Sequence, residues 1–342
     1  MPFKTTDPMS LVHSHIAKTP VSPHEINSSC PKMISDIILK LMAKTAEDRY
    51  QSTDGIISDL KQCLNQLESH GKIVSFQIGQ NDISVLFQIP QKLYGRDSEI
   101  KHLISAFDRI SAGNKEMLMV TGHAGIGKSA LVKELYKPVL ERRGYFIFGK
   151  FEQYQRDIPY VSIIQALRGL IHQILSETDE RIGIWKAKLL DALGPNGQII
   201  IDVIPEVALI LGKQPKVDEL PAKETRNRFE LTFQNFLKTL TDKDHPLVIF
   251  LDDLQWIDSA SLQLLEIFMN DPDIRYLLII GAYRDNEVDI GDSLISTLKA
   301  IEKTATVSFL KLSFLETRHI GQLLADTLRN VHELSYATSR IY

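Results

Sequence analysis

The sequence predicts an α/β fold: a mainly parallel five-stranded sheet with inserted helices, preceded by a small α-helical segment. Three observations carry that expectation. After Lys92 the chain alternates short apolar runs with longer amphipathic stretches, the pattern of strands wrapped by helices. Two of the runs, "PLVIFL" and "YLLIIGAY", are apolar throughout, as strands buried on both faces are. A glycine-rich turn, "TGHAGIGKSA", stands between the run "EMLMV" and an amphipathic stretch, where a strand hands over to a helix.

Taken in order, the first 68 residues read as helical. Pro31 suits a first helical turn, and Met33, Ile34, Ile37, Ile38, Leu41 and Met42 form one stripe of a helix over 31–43. Ile56, Leu60, Cys63, Leu64 and Leu67 repeat the pattern over 53–67. Residues 69–92 lack a helical period and read as an extended linker with short strands. The main domain is expected over 93–312, with helices at Glu99–Ala112, Lys128–Leu140 and Ser259–Met269 and several more before Leu240. Its strands are "EMLMV", "YFIFGKF", "PLVIFLDD", "YLLIIGAYR" and "TVSFLKL". Residues 313–342 read as the start of a helical lid.

Composition narrows the function. A chain of 342 residues with 44% apolar content supports a large domain and a smaller one, and a net charge of -4 argues against a dedicated nucleic-acid binder. The apolar runs are far too short to cross a bilayer. Two cysteines, Cys30 and Cys63, make no disulfide framework, so a reduced cytoplasmic protein is expected. His13, His15, His24 and Cys30 match no common zinc spacing.

Gly122, Gly127, Lys128 and Ser129 hold the spacing G-x-x-x-x-G-K-[ST] of a phosphate-binding loop. Glycines let the backbone curl around phosphate with its N–H groups inward, which assigns Gly122, Gly125, Ile126, Gly127 and Ala130 to the nucleotide cradle. The helix opening near Lys128 adds its positive end. Lys128 is placed to neutralise the β- and γ-phosphates and Ser129 to put its hydroxyl on Mg²⁺. Asp252 and Asp253 end the strand "PLVIFLDD", at the edge where open parallel sheets bind ligands. Asp252 is the expected Mg²⁺ partner of Ser129, and Asp253 the candidate to orient or deprotonate an attacking water. Trp256 reads as packing. Arg284 ends a further strand and either senses the γ-phosphate or pairs with Asp285 or Glu287. Tyr94, Gly95 and Arg96 are placed to line a base pocket or to form a helix-capping turn.

These residues carry a resemblance. With "IPQKLYGR", "GYFIFGKFEQYQRDIPY", "ALGPNGQIIIDVIPE", "NRFELTFQNF", "HPLVIFLDDLQWIDSASL" and "IGAYRDNEV", residues 93–312 resemble the ATPase module of signal-transduction NTPases with numerous domains (STAND), in the AAA-like P-loop class. The version inside large bacterial multi-sensor serine/threonine kinases is the most similar. The resemblance implies a P-loop NTPase fold, ATP or ADP as ligand with Mg²⁺, and a switch in which nucleotide exchange toggles an autoinhibited assembly and hydrolysis resets it. Where the family commonly has a proline opening its lid, Phe314 stands here.

Residues 1–68 resemble the last helices of a protein-kinase C-lobe, with Arg49 in the position of its late arginine. No H-R-D, D-F-G or A-P-E motif accompanies them, so the chain is not expected to be a complete kinase. It is expected to be a piece of a larger signalling protein, or one product of a split gene, with kinase and sensor domains as partners. Arg49 is expected exposed or re-paired, because an unpaired buried guanidinium is costly. Two rival functions stay open: a module that holds ATP or ADP without turnover, and a nucleic-acid-associated AAA ATPase, for which "KELYKPVLERRGYFIFGK" is the basic stretch. An ABC transporter subunit is disfavoured by the lack of L-S-G-G-Q.

Overall fold

The structure, a computed structural model, describes residues 2–3, 14, 18–44, 48–82, 92–155, 158–288 and 293–338, with helix side chains described as far as Thr327. The chain divides into two units: the described residues up to Gly95 together with those from Leu315 onward, and Arg96–Phe314.

In the first unit, α1 (Lys32–Leu41) and α2 (Thr53–His70) pack against each other through Met33, Ile37 and Cys63. Ser52 caps α2 by accepting the Gly55 N–H at 3.0 Å, and Gly71 closes it at φ 65°, a conformation that suits glycine. Two expectations change here. Residues 73–77 form no strand, and Ile73, Phe76 and Ile78 lie against the helix pair. The apolar stripe of α2 is only partly used: Cys63 is buried, while Leu60, Leu64 and Leu67 stay exposed, because α1 is too short to cover four turns. Arg49 is exposed and donates to the Ala43 carbonyl at 2.8 Å.

The second unit begins with α3 (Asp97–Ser111), β1 (Lys115–Thr121), α4 (Lys128–Lys133), α5 (Tyr136–Glu141) and β2 (Tyr145–Lys150). The helix expected over 128–140 is therefore two. A continuous helix needs a residue 138 N–H for the Glu134 carbonyl, and Pro138 has none; Glu134 and Leu135 close the first helix with bonds to Leu131 and Val132 instead. Pro138 falls in the first turn of α5, where no donor is missed.

Next come α6 (Val161–Leu175), α7 (Asp179–Leu193), short helices at Gly197–Val203 and Ala208–Leu211, and α8 (Ala222–Leu240). They are followed by β3 (Leu247–Asp252), α9 (Ser259–Asn270), β4 (Leu277–Tyr283), α10 (Ser293–Ile301) and β5 (Thr306–Lys311). The five strands form one parallel sheet in the order β2-β3-β4-β1-β5. β3 and β4 are buried along their whole length, which explains their unbroken apolar runs. Gly149 lets α6 approach β2: a Cβ there would stand 2.4 Å from the Ser162 carbonyl oxygen. Beneath β1, the nearly inaccessible Glu116 (2% exposed) takes two hydrogen bonds from Arg109, each 2.8 Å, and one from Ser308. After β5 the chain returns to the first unit as α11 (Thr317–Thr338). No helix among the described residues is long and apolar enough to cross a membrane.

Candidate functional site

Because all five strands are parallel, their carboxyl ends share one edge of the sheet. β4 lies between β1 and β3, so the ends of β1 and β3 stand about 10 Å apart at ordinary strand spacing. The turn after β1 curls at this edge. Gly122, Gly125 and Gly127 have φ of 147°, 74° and 99°, in the region that disfavours side chains. A Cβ on Gly125 or Gly127 would meet nothing within 4 Å, so backbone angle rather than crowding selects glycine there, and the cradle is open. At Gly122 a Cβ would also be crowded, 3.0 Å from the Leu312 carbonyl oxygen.

Lys128 is buried, 8% exposed, and its Nζ donates to the carbonyls of Gly122 at 2.7 Å and His123 at 2.9 Å. Burial lowers its pKa from the ordinary lysine value, with Asp252 opposing the shift and Arg284 adding to it. Ser129 Oγ donates to Asp252 Oδ2 at 2.6 Å, so the loop and the acidic end of β3 meet. Ile126 is half-buried within the loop, and Ala130 is exposed on the first turn of α4.

Asp253 adopts a left-handed backbone, φ 57°, its N–H bonded to Asp252 Oδ1 at 3.0 Å. Its Oδ1 accepts from Gln255 Nε2 at 2.9 Å and lies 3.7 Å from Arg284 Nε; its Oδ2 lies 3.7 Å from Lys150 Nζ at the end of β2. Arg284 also pairs with Glu287 at 2.6 Å, which raises its pKa, and its guanidinium stands 5.3 Å over the Trp256 ring. Arg284 is thus ion-paired with Glu287, one of the two partners expected, and it stands beside Asp253. Trp256 packs on the core as expected, and it also carries Arg284.

Of the residues expected to line a base pocket or form a helix-capping turn, Arg96 stands at the N-cap of α3. Arg96 turns inward, 5% exposed, donating to the carbonyls of Ser313 at 2.7 Å and Ile126 at 3.5 Å and pairing with Glu99. Its guanidinium secures backbone rather than opening toward a ligand. Tyr94 and Gly95 belong to the first unit. The Tyr94 hydroxyl donates to Asp326 at 2.8 Å, and Gly95 faces His319, where a Cβ would stand 2.1 Å from the ring.

Sequence patterns did not assign Gln255, Lys150 or the stack of His123 on Phe314, whose ring centroids are 5.3 Å apart. Phe314 is 73% exposed at the end of the second unit. The signal for Gln255 was its place two residues after Asp253; nothing local indicates that Lys150, a hundred positions earlier, ends on the neighbouring strand.

The open glycine cradle, the buried lysine and the hydroxyl–carboxylate pair fit a Mg²⁺–triphosphate. Among the described residues no group of three or more His, Cys, Asp or Glu is placed to hold a metal ion by itself. His13 and His15 lie outside the described residues.

The chain is similar to several known proteins. It is 35% identical over 289 residues to hybrid signal transduction histidine kinase G of Dictyostelium discoideum, covering 79% of this chain and 8% of that protein. It is 34% identical over 61 residues, 18% of this chain and 9% of the other, to a probable serine/threonine-protein kinase of Clostridium perfringens. The chain thus spans under a tenth of the length of either relative. A crystal structure of Cdc6p from Pyrobaculum aerophilum aligns with 71% of this chain and 51% of its own, at 15% identity and a TM-score of 0.42. The AAA ATPase domain family matches residues 92–280, more than half of the chain, from before the loop into β4; the chain belongs to that family.

Proposed function

We propose that this chain is an ATP-binding signalling switch of the STAND type, which turns ATP over slowly in the cytoplasm and so toggles the kinase and sensory domains of a multidomain protein. The observation that carries this reading is the 2.6 Å bond between Ser129 and Asp252, which assembles the hydroxyl and carboxylate that a metal-bound triphosphate requires. The likeness to a hybrid histidine kinase supports the signalling part. The short likeness to a serine/threonine-protein kinase adds to the kinase side of this reading, in which residues 1–68 are the end of a protein-kinase lobe.

In this reading the backbone N–H groups of the loop receive the phosphates, and Lys128 leaves the Gly122 and His123 carbonyls to place its ammonium on the β- and γ-oxygens. Ser129 and Asp252 hold Mg²⁺, which when bound supplies positive charge against the charge of the transferring phosphoryl group. Asp253 orients a water for in-line attack on the γ-phosphorus; the new P–O bond forms as the bond to the β-bridging oxygen breaks, giving ADP and phosphate. Asp253 is aimed by Gln255 and flanked by Lys150 and Arg284, so an attacking water competes with two cations for its carboxylate. That occupancy supports slow turnover, and it also favours a second reading, a regulatory module that binds ATP or ADP without hydrolysis.

The deciding experiment compares nucleotide carried by the purified protein with that carried by Lys128→Ala, alongside phosphate release by Asp253→Asn. Equal nucleotide in the first pair removes the role of Lys128. Binding kept and phosphate release lost in Asp253→Asn supports the enzyme; binding without phosphate release in the unaltered protein selects the second reading.

A further inference from the structure

Gln255 is a buried amide that touches both Asp253 and the end of β4, the strand between the acidic pair and the loop. It is 5% exposed. Its Nε2 donates to Asp253 Oδ1 at 2.9 Å, and its Oε1 accepts the backbone N–H of Arg284 at 3.3 Å. One planar group therefore spans the carboxyl ends of β3 and β4. Its orientation is fixed by chemistry: turning it over would set the NH₂ against the Arg284 N–H and the oxygen against a carboxylate. Asp253 needs such a tie. It sits in a left-handed conformation that non-glycine residues adopt at a cost, and the bond from Gln255 fixes where its carboxylate points. The next residue, Trp256, lies under the Arg284 guanidinium, so the dipeptide Gln255–Trp256 grips Arg284 by its backbone and its side chain.

We propose that Gln255 is a positioning residue of the nucleotide site, tying Asp253 and Arg284 into one unit so that a displacement of Arg284 by the γ-phosphate re-aims the Asp253 carboxylate. This rests on the ATPase reading above. The amide takes no proton and touches no substrate; it acts through the two residues it joins. Removing it uncouples them. Replacing it with glutamate keeps the acceptor for Arg284, loses the donor to Asp253, and sets two carboxylates face to face, which favours a shared proton.

The test uses the full chain, with binding of fluorescent ATP and ADP analogues measured beside phosphate release from pH 5.5 to 9, roughly the range over which a shared carboxylate proton is titrated away. Gln255→Ala is expected to keep ATP affinity within about threefold while kcat falls about tenfold or more, as for loss of a hydrogen bond to a charged group. The Gln255→Ala, Arg284→Ala double variant is expected to fall no further than the worse single one, since the two act as a unit. Gln255→Glu is expected to shift the acid limb of the kcat profile to higher pH, which a merely structural loss does not do. Wild-type kcat in Gln255→Ala, multiplicative losses in the double variant, or an unmoved profile in Gln255→Glu each overturns the proposal while leaving the ATPase reading intact. Should the unaltered chain bind nucleotide without releasing phosphate, the readout becomes its ATP-to-ADP affinity ratio, which Gln255→Ala is expected to bring toward one; an unchanged ratio overturns the proposal. An unaltered chain that binds neither nucleotide ends the ATPase reading and this inference with it.

Discussion

Ser129 and Asp252 stand 123 positions apart in the chain and 2.6 Å apart in the structure. Ser129 opens α4 after β1 and Asp252 ends β3, and β4 lies between those two strands in the sheet. Ser129→Ala and Asp252→Ala are each expected to raise the Mg²⁺ concentration needed for half-maximal nucleotide-induced thermal stabilisation by about tenfold. A magnesium titration of the melting temperature at fixed ATP measures it; unchanged midpoints in both variants would remove the pair from the metal site.

Glycines of this fold are required for two different reasons, and alanine separates them. At Gly127 the φ of 99° is the obstacle and space is free, so Gly127→Ala is expected to cost about 1–2 kcal/mol and to weaken nucleotide binding. At Gly149 the obstacle is the Ser162 carbonyl, 2.4 Å from the new Cβ, and the cost is displacement of α6. Gly149→Ala is expected to lower stability with nucleotide affinity per folded molecule unchanged, as urea denaturation and binding isotherms will tell.

Lys128 gives the ligand-free protein a pH dependence. Its folded-state pKa lies below the ordinary lysine value of 10.5, so the proton favours the unfolded chain. The penalty is full below the lowered pKa and disappears as pH rises toward 10.5. The stability of wild type relative to Lys128→Met is therefore expected to increase between neutral pH and about pH 10. A gap that narrows or stays flat, in denaturation at several pH values without nucleotide, contradicts the burial argument.

Away from the site, Arg109→Ala leaves the Glu116 carboxylate buried with Ser308 as its remaining side-chain donor. A loss of about 3 kcal/mol is expected, the scale for breaking one side of a buried pair. The Arg109→Ala, Glu116→Leu double variant should recover part of it; a double variant as weak as the single one assigns the loss to packing instead.

Much of this was legible in the sequence, and the division follows the range of the forces. Spacing within ten or twenty residues determined the glycine turn, the buried strands with their acidic ends, and most helix spans, because backbone angle, periodicity and continuous burial act locally. Even the break at Pro138 follows a local rule, a missing backbone donor inside a longer amphipathic pattern. What the chain order could not settle is which strand lies beside which. Only the tertiary order β2-β3-β4-β1-β5 brings Lys150 to Asp253, places Arg284 between loop and acid pair, and lets Gln255 bridge two strand ends. It is also what turns Arg96 onto the Ser313 carbonyl, 217 positions away. Each of those contacts depends on a buried neighbour supplied from a distant part of the chain, and no local pattern encodes which neighbour arrives.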